Sequence, residues 1–173
     1  MIFAESRRIL RVMESTFDRT LSPSASILLV EDDVAVARVL TVLLTKAGYR
    51  VTAFATAELA LVALAHGEVD VVLSDLRLPA MSGFDLLGRV VTATPELPVV
   101  LITAQGSVAL AVEAMRAGAS DFLLKPFERD ELLFVVRKAL LRGAADARPP
   151  AASLPESGIV GDSAAMEIGR AHV

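Results

Sequence analysis

The chain has no cysteine among its 173 residues. That excludes a disulfide framework, a thiolate metal site and a thiol nucleophile, and it fits a reducing, cytoplasmic setting. There is no tryptophan, and aromatics make up only 5% of the residues, so Val, Leu and Ala must build any core. Positive charge is not in surplus: 17 Lys and Arg against 21 Asp and Glu give a net charge of −4. No basic footprint for nucleic acid and no Lys/Arg cluster for an anionic membrane surface is present. The apolar runs fall far short of the roughly 20 residues of a membrane span. Glu5, Arg7, Arg8 and Arg11 interrupt the apolar stretch that a secretory signal would need. What remains is 54% hydrophobic and 22% charged, a composition that buries a core, in a length that suits one domain with tails.

Residues 1–25 carry a weak helical stripe of Ile2, Ile9, Leu10, Met13 and Phe17, then a Ser/Pro-rich linker. They are expected to be an N-terminal extension without assigned function, and Met13 is an alternative start. From Ile27 the pattern alternates. ILLV, Ile27 to Val30, reads as a buried strand running into Glu31, Asp32 and Asp33. A helical pattern from Val34 to Lys46 stops at Gly48. A strand is expected from Tyr49 to Phe54, then a helix capped by Thr56 and ended by Gly67. Val69 to Ser74 is a third strand that delivers Asp75. A loop, LRLPAMSG, leads to a helix from Phe84 to Ala93. VVLI, Val99 to Ile102, is a fourth strand ending on Thr103, followed by a helix from Ser107 to Ala117. Asp121 to Leu124 is a fifth strand ending on Lys125 and Pro126, before an amphipathic helix from Glu128 to Leu141. Sequence leaves the Lys125–Pro126 bond open between cis and trans. Residues 143–158 turn to Ala, Pro and Ser and read as a linker.

Strict strand–helix alternation predicts an α/β fold with a parallel sheet covered by helices on both faces. In such sheets chemistry sits beyond the carboxyl ends of the strands, and there stand Glu31, Asp32, Asp75, Thr103 and Lys125. Carboxylates gathered so closely repel one another. A hard divalent cation removes that penalty, and Mg²⁺ binds through one or two carboxylates together with a phosphate. The cluster therefore suits a Mg²⁺ site built to receive phosphate, with Asp75 as the nucleophile that becomes an aspartyl phosphate. Lys125 and the cation would offset charge on the transferring group, and the Thr103 hydroxyl would bond a phosphoryl oxygen.

The LVEDD block, LSDLRLPAMSG, VVLITA and AMRAGASDFLLKPF, in that order, resemble the receiver domain of two-component response regulators over roughly residues 26–142. The resemblance implies a (βα)5 flavodoxin-like sandwich with strand order 2-1-3-4-5. It implies that Asp75 accepts a phosphoryl group from a sensor histidine kinase and that Asp32 ligates Mg²⁺. Glu31 would help hold the metal, directly or through water, and the backbone carbonyl of Arg77 would be a further ligand. Thr103 and Lys125 would take the switch and clamp roles, with Phe122 at the aromatic switch position. The face made by the fourth helix, fifth strand and fifth helix would carry the output, as a homodimer. Glu31 is a mild departure, since Asp is commoner there in the family.

Within the family, AQGSVALAVEAMRAGASDFLLKPF looks most like the NtrC-type regulators, in which a receiver controls an AAA+ ATPase acting on the sigma-54 polymerase. IVGDSAAM is similar to the opening of that ATPase, so residues 159–173 read as its truncated start. No GxxxxGK[ST] loop and no helix-turn-helix are present in this chain, so neither ATP hydrolysis nor direct DNA binding is expected of it. The last seven residues, EIGRAHV at 167–173, can be encoded by the codons of a common sequencing-library adapter, which predicts an artefactual tail.

Taken singly, these residues have plainer readings. An Asp at a strand end is most often a turn residue or a cap, and Asp33 is expected to be the N-cap or a first-turn residue of the helix. Thr103, Lys125 and Phe122 alone are a strand, a surface and a core residue; only their co-occurrence at strand ends of one sheet argues for chemistry. Met81 and Met115 read as packing, and His66 as a helix-end residue. A dehalogenase-like phosphatase would need a second Asp two residues beyond the nucleophile, where Arg77 stands. A nucleotide or flavin binder would need a phosphate-cradling loop after the first strand, and none is there.

Overall fold

A computed structural model describes residues 25–146. The expected N-terminal stripe and the segments beyond Asp146 lie outside the described residues. The strands are β1 (Ser26–Val30), β2 (Arg50–Phe54), β3 (Val71–Asp75), β4 (Val99–Thr103) and β5 (Asp121–Leu124). The helices are α1 (Val34–Lys46), α2 (Ala57–Leu64), α3 (Gly83–Ala93), α4 (Val108–Arg116) and α5 (Arg129–Asp146). All strand pairs are parallel and the order is β2-β1-β3-β4-β5, as expected.

Side chains on a strand alternate between faces, and β1 shows what that does here. Ile27 and Leu29 join Leu40 and Leu44 of α1 and Leu132, Val136 and Leu140 of α5 in one core. Leu28 and Val30 join Ala57 and Ala60 of α2, Leu86, Leu87 and Val90 of α3 and Ala114 of α4 in the other. Central β1, β3 and β4 are thus apolar on both sides and read as unbroken hydrophobic runs. Edge strand β2 is mostly exposed or half-buried and mixes in Arg50 and Thr52. Each fully buried Leu or Val contributes about 1.5–3 kcal/mol relative to leaving it exposed.

Helix starts follow the sequence. The Asp33 carboxylate accepts from Ala35 N and Val36 N, and the Thr56 hydroxyl accepts from Leu59 N. Ser82 and Asp85 form a reciprocal capping box at the start of α3. Gly48 and Gly118 hold φ of +97° and +102°, the left-handed conformation that glycine tolerates at a helix end. The Lys125–Pro126 bond is cis.

Most boundaries lie within a residue of expectation, and several differ. β2 begins at Arg50 and not Tyr49. β3 begins at Val71, not Val69; Asp70 just before it meets the start of β1, donating its N–H to Ser26 O at 2.9 Å and accepting from Ser26 N through its carboxylate at 2.7 Å. α2 ends at Leu64, short of Gly67. α5 runs through Gly143 to Asp146, so the first residues expected in the linker are helical. Gly143 packs there on Pro98, where an added Cβ would lie 2.9 Å from Pro98 Cδ; the glycine serves close packing and does not end the helix. Met81 packs on the second core as expected, but Met115 is 44% exposed.

Candidate functional site

The carboxyl ends of the three central strands and of β5 meet in one crevice. β1 delivers Glu31, whose N–H extends the sheet by donating to Phe54 O at 3.0 Å. β3 ends on Asp75, and Leu76 N donates to Ile102 O at 2.8 Å. β4 ends on Thr103, whose carbonyl accepts from Lys125 N at 2.7 Å. Backbone pairing therefore fixes all four side chains to one rigid edge.

Lys125 occupies the centre. Its Nζ lies 2.7 Å from Glu31 Oε2 and 2.8 Å from Asp75 Oδ2. Both carboxylates are buried, Glu31 more deeply than Asp75. Burial opposes the ammonium charge of Lys125, yet its hydrogen bonds to Asp75 and Glu31, and their charge, outweigh this and raise its pKa above the ordinary 10.5. The pKa of Glu31 is raised too, which here disfavours its charged form: burial lifts it above 4.5, against the hydrogen bonds from Lys125 and from Asp33 N. The Lys125 ammonium does not fully offset the cost of holding Glu31 ionised.

Asp32 is exposed beside them, and carboxylate oxygens of Glu31, Asp32 and Asp75 all lie within 4.8 Å of one another. An all-oxygen donor set with an under-compensated buried carboxylate fits a hard divalent cation such as Mg²⁺. The second Asp75 oxygen, Oδ1, accepts from Arg77 N at 2.9 Å. The start of α3 lies against the same strand end. A Cβ on Gly83 would stand 2.4 Å from Asp75 O and 2.8 Å from Leu76 Cα, so only glycine permits this approach.

The remaining expected residues are near but differently engaged. The Thr103 side chain is buried and its hydroxyl is paired locally: it donates to Gln105 O and accepts from Gln105 N, each at 3.2 Å. The Arg77 guanidinium reaches across the mouth and donates from Nη2 to Gln105 Oε1. Phe122 is half-buried on the second core, with its ring beside Gly106. The structure thus brings Glu31, Asp32, Asp75 and Lys125 together with Thr103 and Arg77 beside them, whereas Phe122 stands apart on the second core next to Gly106. Sequence reasoning missed Gly83 and Gln105. Gly83 carried a signal, a glycine at the first helical position directly after a capping Ser; Gln105 carried none.

Comparison with known proteins agrees with this geometry. The family model for the response regulator receiver domain matches residues 27–137. The response regulator protein FleR of Pseudomonas aeruginosa is 47% identical over 118 residues, covering 68% of this chain and 25% of the relative. The transcriptional regulatory protein ZraR of Escherichia coli is 37% identical over 142 residues, covering 82% and 32%. The chain therefore spans about a quarter to a third of the length of these relatives. Among solved structures, the signal receiver domain of an HD domain-containing protein from Pseudomonas fluorescens is similar with a TM-score of 0.66 and 32% identity, over 70% of this chain and 98% of that one. NtrX from Brucella abortus is similar with a TM-score of 0.67 and 34% identity, over 71% and 28%. With its acidic crevice, its bridging lysine and a family match across all five strands, the chain belongs to the response regulator receiver domain family.

Proposed function

We propose that this receiver domain takes a phosphoryl group from a phosphohistidine of a sensor histidine kinase onto Asp75. One observation carries the reading: a single ammonium, Lys125, bridges Asp75 to Glu31 at the ends of three strands. In the transfer an Asp75 oxygen attacks phosphorus and the P–N bond breaks. The electron pair leaves with the imidazole nitrogen, which takes up a proton from solvent. Lys125, beside the attacking Asp75 oxygens, would stabilise the negative charge of the transferring phosphoryl group. Mg²⁺, held by Glu31, Asp32, Asp75 and the backbone carbonyl of Arg77, would neutralise charge on the transferring group. Deep placement of Asp75 limits water, and Gly83 keeps α3 close behind it.

The consequence is a switch and not turnover of an outside substrate; the domain catalyses only its own phosphorylation and dephosphorylation. The Thr103 hydroxyl leaves Gln105 to bond a phosphoryl oxygen, Phe122 follows, and the α4–β5–α5 face changes its preference for a second copy. Exposed Val108, Val112, Met115, Leu124 and Phe134 on those elements support that role. In full-length NtrC-type relatives the same output controls sigma-54-dependent transcription, and IVGDSAAM points toward such an ATPase following this domain. The described residues would act in the cytoplasm without contacting DNA; no helix among them is long and apolar enough to cross a membrane.

Intact mass after incubation with acetyl phosphate and Mg²⁺, beside Asp75→Asn, tests the reading. One added phosphoryl group on the wild type alone, lost on chelation, is expected. Equal gain by the variant would overturn Asp75 as acceptor. No gain by a folded, Mg²⁺-binding wild type would overturn acceptance from small phosphodonors.

A further inference from the structure

The contacts around Thr103 join two loops that the sequence keeps apart. Arg77 lies in the loop after β3, two residues beyond Asp75, and its guanidinium donates to the side chain of Gln105 in the loop after β4. Gln105 in turn uses its backbone on both sides of the Thr103 hydroxyl. All the hydroxyl's pairing is thus local, and the Asp75 oxygens are taken by Arg77 N and Lys125 Nζ. The next residue, Gly106, touches the switch side as well: a Cβ there would stand 2.7 Å from Leu124 Cδ1 and 3.4 Å from Phe122 Cε1. Gln105 is therefore tied through its side chain to Arg77, while the following Gly106 lies against Phe122 and Leu124. To turn to a group on Asp75 the Thr103 hydroxyl gives up its two bonds to the Gln105 backbone, and the Arg77 contact to the Gln105 side chain holds that backbone in the place where it offers them.

We propose that the Arg77 side chain, through Gln105, is a latch that holds Thr103 in its unphosphorylated arrangement and so restrains the switch. This rests on the phosphoacceptor reading and adds a role that the backbone carbonyl of Arg77 does not cover. Arg77 acts here as a positioning residue. Its side chain touches Gln105, and through it the residue that must move. The latch favours the resting state. A phosphoryl group on Asp75 must displace it, so its strength sets how far phosphorylation shifts the equilibrium.

Two measurements on the full chain test this, with Arg77→Ala, Gln105→Ala and the double variant. The first uses no phosphate analogue: amide hydrogen exchange at Gln105 and Gly106. Both single variants are expected to exchange faster at these amides, with exchange in the β-sheet unchanged. Unaltered exchange at Gln105 in Arg77→Ala would overturn the latch. The second is titration with beryllofluoride, which mimics a phosphoryl group, in excess Mg²⁺. Loss of one charge-assisted bond is expected to tighten apparent binding roughly three- to tenfold in each single variant. The double variant is expected to match the singles, because both remove the same contact. Gln105→Ala should leave the affinity for Mg²⁺ alone unchanged. Unchanged or weaker beryllofluoride binding, or additive effects, would overturn the proposed restraint. A wild type that binds Mg²⁺ but not beryllofluoride would instead overturn the phosphoacceptor reading, while the exchange rates still decide whether the two loops are tied.

Discussion

Lys125 serves two carboxylates that the sequence places on different strands, and its removal would leave both without their common counter-charge. Lys125→Ala is expected to destabilise the chelator-treated protein by about 1–3 kcal/mol, the lower range because Lys125 keeps some contact with solvent. Added Mg²⁺ should recover part of that loss, and denaturant titration with and without the metal reads both. Titration of the site has a definite sign. The folded pKa of Lys125 is raised, so its stabilising contribution is complete below 10.5 and fades as pH climbs through the folded value. The folded pKa of Glu31 is also raised, so ionised Glu31 opposes folding at neutral pH. That opposition disappears as pH falls through the folded value and past 4.5. Glu31→Gln is therefore expected to raise the melting temperature in chelator at neutral pH, with the gain shrinking toward acid. A gain that grew toward acid would contradict the burial argument. From the sequence, Lys125 read as a clamp for a phosphoryl group. Its second partner, Glu31, was hidden because a contact spanning 94 positions depends on side-chain reach that strand ends alone do not specify.

Among the elements, α3 is the one whose start is built against the reacting edge. Gly83 meets backbone atoms of Asp75 and Leu76, which cannot swing aside as a flexible side chain would. Gly83→Ala is expected to cost about 1–3 kcal/mol by overpacking and to slow phosphoryl acceptance by displacing the Asp75 loop; chemical denaturation and intact mass check the two effects separately. The capping box behind it adds a pH dependence. Hydrogen bonds from the Ser82 hydroxyl and backbone hold Asp85 below the ordinary 3.8. This contribution is present above that value and is lost as pH falls through the folded one. Asp85→Ala should thus lower the melting temperature at neutral pH and converge on the wild type in acid. Element identity was legible because buried parallel strands are short apolar runs and four of the five helix starts carry a capping Asp, Ser or Thr. Boundaries were less so. Nothing in VDVVLS says that Asp70 ties Ser26 through its carboxylate just ahead of the strand, and Gly143 looks like a stop until Pro98 is known to lie beneath it.

At the scale of the molecule, the two faces of the sheet are covered differently: α1 and α5 on one, α2, α3 and α4 on the other. The exposed apolar side chains of α4, β5 and α5 predict self-association on activation. With beryllofluoride and Mg²⁺ the full chain is expected to shift from monomer to dimer by light scattering. Val108→Asp, at an 84% exposed position, should prevent that shift without reducing beryllofluoride binding. The acidic cluster was legible at this scale since the strand order brings the ends of β1 and β3 side by side. The tie between Arg77 and Gln105 was not, since both residues are exposed and polar, and such residues leave no pattern to read.

The carboxylates open at the ends of the strands, whereas the described chain enters at Ser26 beside Asp70 and leaves along α5 past Pro98, at the strand beginnings. A five-residue strand sets these two edges about 16 Å apart. Chemistry and attachment therefore occupy opposite rims. A fluorescent or affinity module joined directly at Ala25 or Asp146 would start from the rim opposite the carboxylates and is expected to leave the crevice unobstructed.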